Sequence, residues 1–246
     1  MHAAVISRDG ELTVFDPGYS PRLMEATRRF PDRLYRFTAP PTCPPDAALS
    51  RRLAADGRIS HVTRVVLSHF HPDHMAGLAD FPDARILCSR AAWQDFCARK
   101  GLGAVAAGYV KGLAPPDLAE RLAFVEDLKP ARLRGAFAPF DEGFDLFGDG
   151  SAVLTPLPGH AQGQIGAALR CADGCDRFLI ADAVWSLDAL RAGAPPPWPV
   201  LRLLGRPKAY LDTMRRLAEL ARRNPEARLI PTHDPEAAAR EAHGRD

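Results

Sequence analysis

Three histidines and one aspartate lie within six residues of this chain, directly after an apolar run. The segment reads His69-Phe70-His71-Pro72-Asp73-His74 and follows Val65-Val66-Leu67. A short apolar run that ends in polar residues predicts a buried strand, which here delivers the histidines into a loop. Imidazole nitrogen and carboxylate oxygen are ligands that divalent metals such as zinc accept. Because His69 and His71 point to one side of an extended loop, the segment predicts a metal site at a strand end.

Three further strand-like runs end in a residue of the same kind. Such residues are needed because Asp73 and His74, further along the first loop, are placed to reach a second ion. Two ions need more ligands than the segment His69–His74 supplies. The additional residues are His160 after Ala152–Thr155, Asp182 after Phe178–Ala181, and His233 after Arg228–Thr232. A single histidine or aspartate after a strand more often forms a turn or a satisfied polar contact. The joint pattern predicts a shared metal site.

The order of these residues along the chain resembles the order of the metal ligands in the metallo-β-lactamase superfamily. The resemblance extends from Phe15-Asp16-Pro17-Gly18, which is similar to the family's strand and Asp-x-Gly turn, through His233. It implies an α/β fold in four layers, an αββα sandwich in which helices flank two mostly antiparallel sheets. We expect one domain over residues 1–246, with a helical insertion at about 101–125.

The resemblance also implies how the ligands divide between two divalent ions. The first ion would be held by His69, His71 and His160, the second by Asp73, His74 and His233, and the two would be bridged by Asp182. Asp16 would orient the ligands from behind, since ligating histidines need an outer hydrogen-bonding partner. Zinc is the default metal, and manganese, iron or cobalt would accept similar ligands.

This ligand set implies a metal-dependent hydrolase that cleaves a small ester-like bond. Two adjacent ions would hold a hydroxide that attacks the substrate. Asp73 and Asp182 are the candidate catalytic residues, with Asp73 carrying the proton toward the leaving group. The segment Leu157–Gln164 resembles the Pro-Gly-His-x-x-Gly segment of N-acyl-homoserine-lactone lactonases, which makes a lactone the leading substrate.

The substrate pocket is less well defined by sequence. Its candidate residues are Trp185, Trp198 and Tyr109. Lactonases of this kind generally carry a tyrosine where this chain has Trp185, and an indole N–H donates a hydrogen bond but cannot act as an acid. Ordinary core or rim aromatics are the alternative for these residues. For the chain, the alternatives are an acyl thioesterase, a phosphodiesterase or a non-catalytic metal-binding scaffold.

Composition narrows the expected partners. The chain has 246 residues, 46 % hydrophobic and 25 % charged, with a net charge of +2. These values are typical of soluble globular proteins and give no basis for a nucleic-acid partner. Without a signal segment or a long apolar run, we expect no membrane partner and a cytoplasmic location. The expected partner is a small-molecule substrate, and homodimer formation is left open.

The cysteines indicate a reducing compartment. Five cysteines are an odd number without framework spacing, so we expect reduced thiols. Cys171 and Cys175 flank an Asp-Gly turn. The sequence leaves open whether they only flank this turn, pair across it or bind a metal.

Overall fold

The computed structural model describes residues 2–38, 44–133 and 135–243. These residues form two compact units, the first spanning Ala3–Phe124 and the second beginning at Val125 and including His2. Each unit has one mixed β-sheet and its own cluster of buried hydrophobic side chains. The expectation of one domain over residues 1–246 stays a prediction.

A five-stranded sheet organises the first unit. Its strands are β1 (Ala4–Arg8), β2 (Glu11–Phe15), β3 (Val62–Val66), β4 (Arg85–Cys88) and β5 (Leu122–Phe124). They lie in the order β1-β2-β3-β4-β5. β1 and β2 form an antiparallel hairpin whose turn residues, Asp9 and Gly10, have φ values of 51° and 82°. Tight hairpin turns need this left-handed backbone, which aspartate and glycine tolerate.

Strands β2 to β5 run parallel to one another. The expectation of a mostly antiparallel sheet is therefore wrong for the first unit. The reason lies in the connections, because helical segments cross over from each of these strands to the next, and such crossovers produce parallel pairs. Phe15 pairs with Val66, so Asp16 and the loop after β3 leave the sheet side by side.

Short helices occupy the connections of the first unit. They are α1 (Arg22–Ala26), α2 (Tyr35–Thr38), α3 (Leu49–Ala55), α4 (Pro72–Met75), α5 (Arg90–Ala98), α6 (Gly101–Ala106) and α7 (Leu118–Arg121). α5 begins after Ser89, whose hydroxyl accepts the Ala92 N–H at 3.1 Å and so caps the helix. The segment expected as a helical insertion contains α6 and α7. Its last residues instead form the edge strand β5, since they pair with β4.

A six-stranded sheet organises the second unit. Its strands are β6 (Pro130–Arg132), β7 (Glu142–Asp145), β8 (Ala152–Pro156), β9 (Ile165–Arg170), β10 (Asp176–Ala181) and β11 (Arg228–Pro231). Their order is β11-β10-β9-β8-β7-β6, and every neighbouring pair except β10–β11 is antiparallel. The expectation of a mostly antiparallel sheet is confirmed for this unit.

The helices of the second unit follow the strands that carry candidate ligands. They are α8 (Leu187–Arg191), α9 (Trp198–Leu204), α10 (Pro207–Arg223) and α11 (Pro235–His243). α10 buries Tyr210, Met214, Leu217 and Leu220, which share one face because they recur every three or four residues. None of the helices in the described ranges combines the length and the apolar run needed to cross a bilayer.

Candidate metal centre

The predicted ligand segment of the first unit lies between β3 and α4. The Leu67 N–H still donates to the Leu87 carbonyl at 2.8 Å, after which the chain leaves the sheet. α4 begins at Pro72, so two of the ligands stand in its first turn. The candidate ligands here are all buried: His69, His71, Asp73 and His74. Buried polar side chains require hydrogen-bonding partners, and neighbouring residues of the same unit supply them.

Asp16 is the central supporting residue of this group. It is buried, and its φ of 53° turns the chain sharply at the end of β2. One carboxylate oxygen accepts the Ser68 N–H at 2.7 Å, and the other accepts the Ser68 hydroxyl at 2.7 Å. The second oxygen also lies 2.8 Å from His74 Nδ1. Asp16 therefore holds His74 by its Nδ1 atom and directs Nε2 to the opposite side.

His69 and His71 are oriented in the same manner. The Ser68 hydroxyl lies 2.9 Å from His69 Nδ1, and the Ala107 carbonyl lies 3.3 Å from His71 Nε2. The remaining nitrogens, His69 Nε2 and His71 Nδ1, face each other at 3.0 Å. Ligating histidines in proteins use one nitrogen for the metal and the other for such an outer partner.

Gly108 leaves room for His71. Its φ is 76°, and a Cβ at this position would lie 2.8 Å from Cδ2 and Nε2 of the imidazole. Both features exclude an ordinary side chain, because the backbone would be strained and the ring would be displaced. The residues directly after α6 thus contact His71 through the Ala107 carbonyl and leave space for its ring at Gly108.

The second unit brings its three candidate ligands to one edge of its sheet. β9 is antiparallel to both β8 and β10, and β11 is parallel to β10, so β8, β10 and β11 run in one direction. His160, Asp182 and His233 follow these three strands. Asp182 Oδ2 lies 3.4 Å from His160 Nε2 and 3.3 Å from His233 Nε2. Asp182 is therefore the residue that the two histidines share.

A β-bulge positions Asp182. The pairing of β10 with β11 shifts between Leu179 and Ala181, and Ala181 adopts a left-handed φ of 47°. The Thr232 N–H still donates to the Ala181 carbonyl at 3.1 Å. Bulges bend a strand and redirect the side chain that follows. Here the bend occurs one residue before the aspartate.

The loop that carries His160 is fixed by α10. The Pro158 carbonyl accepts the Thr213 hydroxyl at 2.7 Å, and the Gly159 carbonyl accepts the Arg206 N–H at 3.1 Å. Gly159 has a φ of 137°, and a Cβ there would overlap the backbone of Tyr210. Burial, together with the charge of Asp182, raises the pKa of Tyr210 to about 12. Its phenol stays protonated at neutral pH.

Asp234, the residue directly after His233, is anchored by backbone hydrogen bonds. Its two carboxylate oxygens accept N–H groups from Leu187 at 2.7 Å, Glu236 at 2.9 Å and Ala237 at 3.0 Å. Burial alone would raise the pKa of Asp234, but these three hydrogen bonds outweigh it and lower the pKa. The ionised carboxylate joins the start of α8 to the start of α11.

The residues of each unit fit a divalent metal. In the first unit, His74 Nε2 and Asp73 Oδ2 are 3.5 Å apart, and the facing nitrogens of His69 and His71 are 3.0 Å apart. The pairs around Asp182 have similar separations, 3.3 and 3.4 Å. Two ligands bound at zinc–nitrogen distances in a tetrahedral site stand about 3.3 Å apart. The donor types, their burial and their spacing all match this geometry.

The predicted pocket residues differ in their surroundings. Trp185 is 37 % exposed, and its ring meets the His160 imidazole edge-on at a centroid distance of 6.4 Å. Trp198 begins α9 and is 57 % exposed. Tyr109 is buried, and its hydroxyl donates to Asp95 at 2.7 Å. Trp185 and Tyr109 are thus each beside a candidate ligand, since the Tyr109 ring centroid lies 6.1 Å from that of His71, but the Tyr109 hydroxyl is already bonded to Asp95.

Sequence reasoning missed the residues that support the ligands. They are Ser68, Ala107, Gly108, Gly159 and Asp234. Ser68 stands directly before His69, and Asp234 directly after His233, so adjacency to a ligand was the available signal. Gly159 belongs to the Pro-Gly-His-x-x-Gly segment, whereas Ala107 acts through its carbonyl and Gly108 through the absence of a side chain, which no residue pattern reveals.

The fold and the donor set define a metal-dependent hydrolase, and comparison with known proteins agrees. The family model of the Metallo-beta-lactamase superfamily matches residues 2–233. The chain belongs to this superfamily, and the predicted enzyme class is confirmed.

Individual relatives are similar to this chain at modest identity. A probable metallo-hydrolase of Mycobacterium bovis is 27 % identical over 258 residues, which cover 96 % of this chain and 74 % of the relative. The N-acyl homoserine lactonase AttM of Azorhizobium caulinodans is 28 % identical over 181 residues, which cover 72 % of this chain and 59 % of AttM. The match therefore spans less than two thirds of that lactonase.

Solved structures show the fold. An N-acyl homoserine lactone hydrolase, solved with the product N-hexanoyl-L-homoserine at its catalytic metal center, superposes with a TM-score of 0.69. The match covers 97 % of this chain and 82 % of the hydrolase at 16 % sequence identity. The expected metallo-β-lactamase fold is confirmed.

Proposed function

We propose that this protein is a dinuclear metallohydrolase that opens a lactone ring. His69, His71 and His160 would hold one divalent ion, and Asp73, His74 and His233 the other, with Asp182 between them. The observation that carries the proposal is the donor set. In each unit, histidine and aspartate atoms, all buried except those of the partly exposed His233, stand at the separations expected of ligands that share a metal.

Bound ions would activate a water molecule and polarise the carbonyl that it attacks. The chain's own residues prepare for this chemistry. Asp16 and Ser68 fix His74 and His69 by their Nδ1 atoms, which keeps the Nε2 atoms available. Asp182 Oδ2 faces two histidines at once and suits a shared ligand. Asp73, which lies beside His74, would carry the proton to the leaving oxygen.

Two similarities favour a lactone over other ester-like substrates. Leu157–Gln164 resembles the Pro-Gly-His-x-x-Gly segment of lactonases, and the chain matches the lactonase AttM. Trp185 also favours an apolar substrate. Its partly exposed ring stands edge-on to His160, so it would form an apolar wall next to a ligand. Zinc is the proposed metal, because nitrogen-rich sites with carboxylates suit it.

The test combines metal analysis with hydrolysis by one purified sample. The metal content is measured by mass spectrometry. Activity is measured on homoserine lactones, aryl esters, acyl thioesters and a bis-aryl phosphate. Wild type is compared with His69→Ala, Asp182→Ala and the control His61→Ala. His61 is a histidine outside the ligand set, and its Nδ1 lies 3.1 Å from the Gly10 carbonyl.

We expect about two ions per chain and lactone opening. Both ligand variants should lose more than ~100-fold in rate, beyond the range of outer-partner changes, while His61→Ala stays at the wild-type rate. If the protein binds two ions but hydrolyses thioesters or phosphodiesters instead, the dinuclear centre is supported and the lactone substrate is contradicted. One ion or none, with no turnover, would contradict the dinuclear enzyme.

A further inference from the structure

We propose that Cys171 and Cys175 form a reversible disulfide across the turn between β9 and β10, which makes this turn a site of thiol oxidation. The turn lies outside the candidate ligand set, so the proposal does not depend on the metal centre.

The register of the hairpin sets the two cysteines opposite each other. Asp176 pairs with Arg170, and continuing this antiparallel register by one residue pairs Cys175 with Cys171. The Gly174 N–H donates to the Cys171 carbonyl at 3.0 Å, and Gly174 has a left-handed φ of 76°. The turn is therefore closed, and its shape is fixed by backbone bonds.

Opposite residues of an antiparallel pair project their side chains from the same face. Their Cα atoms lie about 4.5–5.5 Å apart, within the roughly 4.4–6.8 Å range that disulfides span. Their Cβ atoms lie about 4.5–5.5 Å apart, and disulfides need about 3.5–4.5 Å. A bridge between Cys171 and Cys175 needs only a small inward movement of the two strands.

Both thiols are half-buried and accessible to small reagents. Among the described cysteines, Cys88 is buried and Cys97 is exposed on a helix, while Cys171 and Cys175 form no disulfide in this structure. Only Cys171 and Cys175 therefore combine access with a second thiol directly opposite in the described sheets.

Arg177 stands beside this pair. It donates to Asp173 at 2.9 and 2.7 Å, and its guanidinium also donates to the Cys175 carbonyl at 3.3 Å. Burial raises the pKa of Cys171, and Arg177 partly offsets this effect by favouring the thiolate. The bonds between Asp173 and Arg177 involve no sulfur atom, so we expect them to persist in both redox states.

The oxidation proceeds by exchange with a low-molecular-weight disulfide such as oxidised glutathione. One cysteine thiolate attacks a reagent sulfur, forms a mixed disulfide and releases one reagent thiolate. The opposite cysteine thiolate then attacks the protein sulfur and releases the second. The two reagent thiolates take up the two protons that the cysteines lost. Two electrons pass from the cysteines to the reagent, and an excess of reduced thiol reverses the reaction.

The experiment treats the intact protein with oxidised glutathione and then digests it with trypsin after blocking free thiols. Arg170 and Arg177 flank the pair, so residues 171–177 leave as one peptide that contains both cysteines. We expect this peptide to lose two hydrogens in mass and to regain them after treatment with reduced dithiothreitol. The total of five thiols should fall by two for this pair and by one more for Cys97, which takes up glutathione as a mixed disulfide.

Cys97 is the internal control, because its tryptic peptide contains one cysteine and forms only a mixed disulfide. Cys175→Ser is the matched variant, and its 171–177 peptide should likewise carry glutathione rather than an internal bond. The proposal is overturned if, with Cys97 modified, the wild-type 171–177 peptide stays reduced. It is equally overturned if that peptide retains glutathione without closing the ring.

Discussion

Gly108 decides how closely α6 approaches His71, and replacing it by alanine should weaken metal binding. The added Cβ would lie 2.8 Å from the imidazole at a φ of 76°. The ring must shift, which misdirects its Nδ1 atom. We expect the zinc affinity, measured by chelator competition, to fall by about 10–100-fold, as for other losses of outer support.

Gly101→Ala is the matched control for this prediction. Gly101 also has a left-handed φ, 52°, but a Cβ there meets nothing within 4 Å. Both variants should lose stability through backbone strain of about 1–2 kcal/mol. Equal zinc affinities in the two variants would show that contact with His71 is irrelevant.

Asp16 offers a second test at the level of one residue. In Asp16→Asn the side chain keeps its shape but loses its charge, so the bond to His74 Nδ1 weakens and one Ser68 contact loses its acceptor. We expect zinc affinity to fall by about 10–100-fold. Thermal unfolding should also show a loss of about 1–3 kcal/mol from the buried hydrogen bonds.

Asp9→Asn is the control, since Asp9 is exposed and has nearly the same left-handed φ, 51° against 53° at Asp16. Asparagine tolerates this backbone, so both substitutions are equivalent in conformation. If Asp9→Asn and Asp16→Asn retained the same affinity, the supporting role of Asp16 would be wrong.

The candidate ligand positions could be proposed from the sequence because metal chemistry admits few residue types. His69, His160 and Asp182 stand out since histidine and aspartate rarely follow apolar strands in such order by chance. Gly108 and Ala107 could not be identified. One acts by lacking a Cβ and the other by its carbonyl, and every chain has many equivalent groups.

At the scale of elements, Tyr109 links the segment after α6 to α5 and gives a pH-dependent prediction. Burial and the hydrogen bond to Asp95 raise the pKa of Tyr109 well above its ordinary value of 10.0. In the unfolded chain the phenol ionises near pH 10, whereas in the folded protein it keeps its proton. The stabilisation is therefore complete below about pH 10 and declines as the pH rises further.

Tyr109→Phe removes this dependence. Near pH 8 the variant should be less stable by about 1 kcal/mol, because a hydrogen bond is lost. Between about pH 10 and 11 the stability difference should shrink by up to about 1.4 kcal/mol per pH unit, measured by urea unfolding. Parallel stability curves across this range would contradict the raised pKa.

The elements that carry ligands were predictable, and their arrangement was only partly so. The strands before His69 and Asp182 followed from their apolar runs. β5 was missed because three residues are too few to show an alternating pattern. The parallel order of the first sheet was missed because short crossover helices leave no sign of strand direction.

For the whole molecule, the α/β class and the family followed from ligand order, whereas the two compact units did not. Composition describes the chain as a whole, so it does not indicate where one compact unit ends and the next begins. The family model nevertheless spans residues 2–233. This span supports the proposal of one domain, which predicts a single cooperative unfolding transition when calorimetric and van't Hoff enthalpies are compared.

Metal removal tests the centre and the domain together. A ligand that binds only the folded state stabilises it by about 2.7 kcal/mol at a hundredfold excess over Kd, which for a chain of this size raises Tm by about 5–10 °C. We expect the zinc-free protein to melt lower and zinc to raise Tm in one transition. His61→Ala should respond like wild type, and Asp182→Ala should respond far less. Two transitions, of which zinc shifts only one, would contradict the single domain, and a Tm independent of zinc would contradict the metal centre.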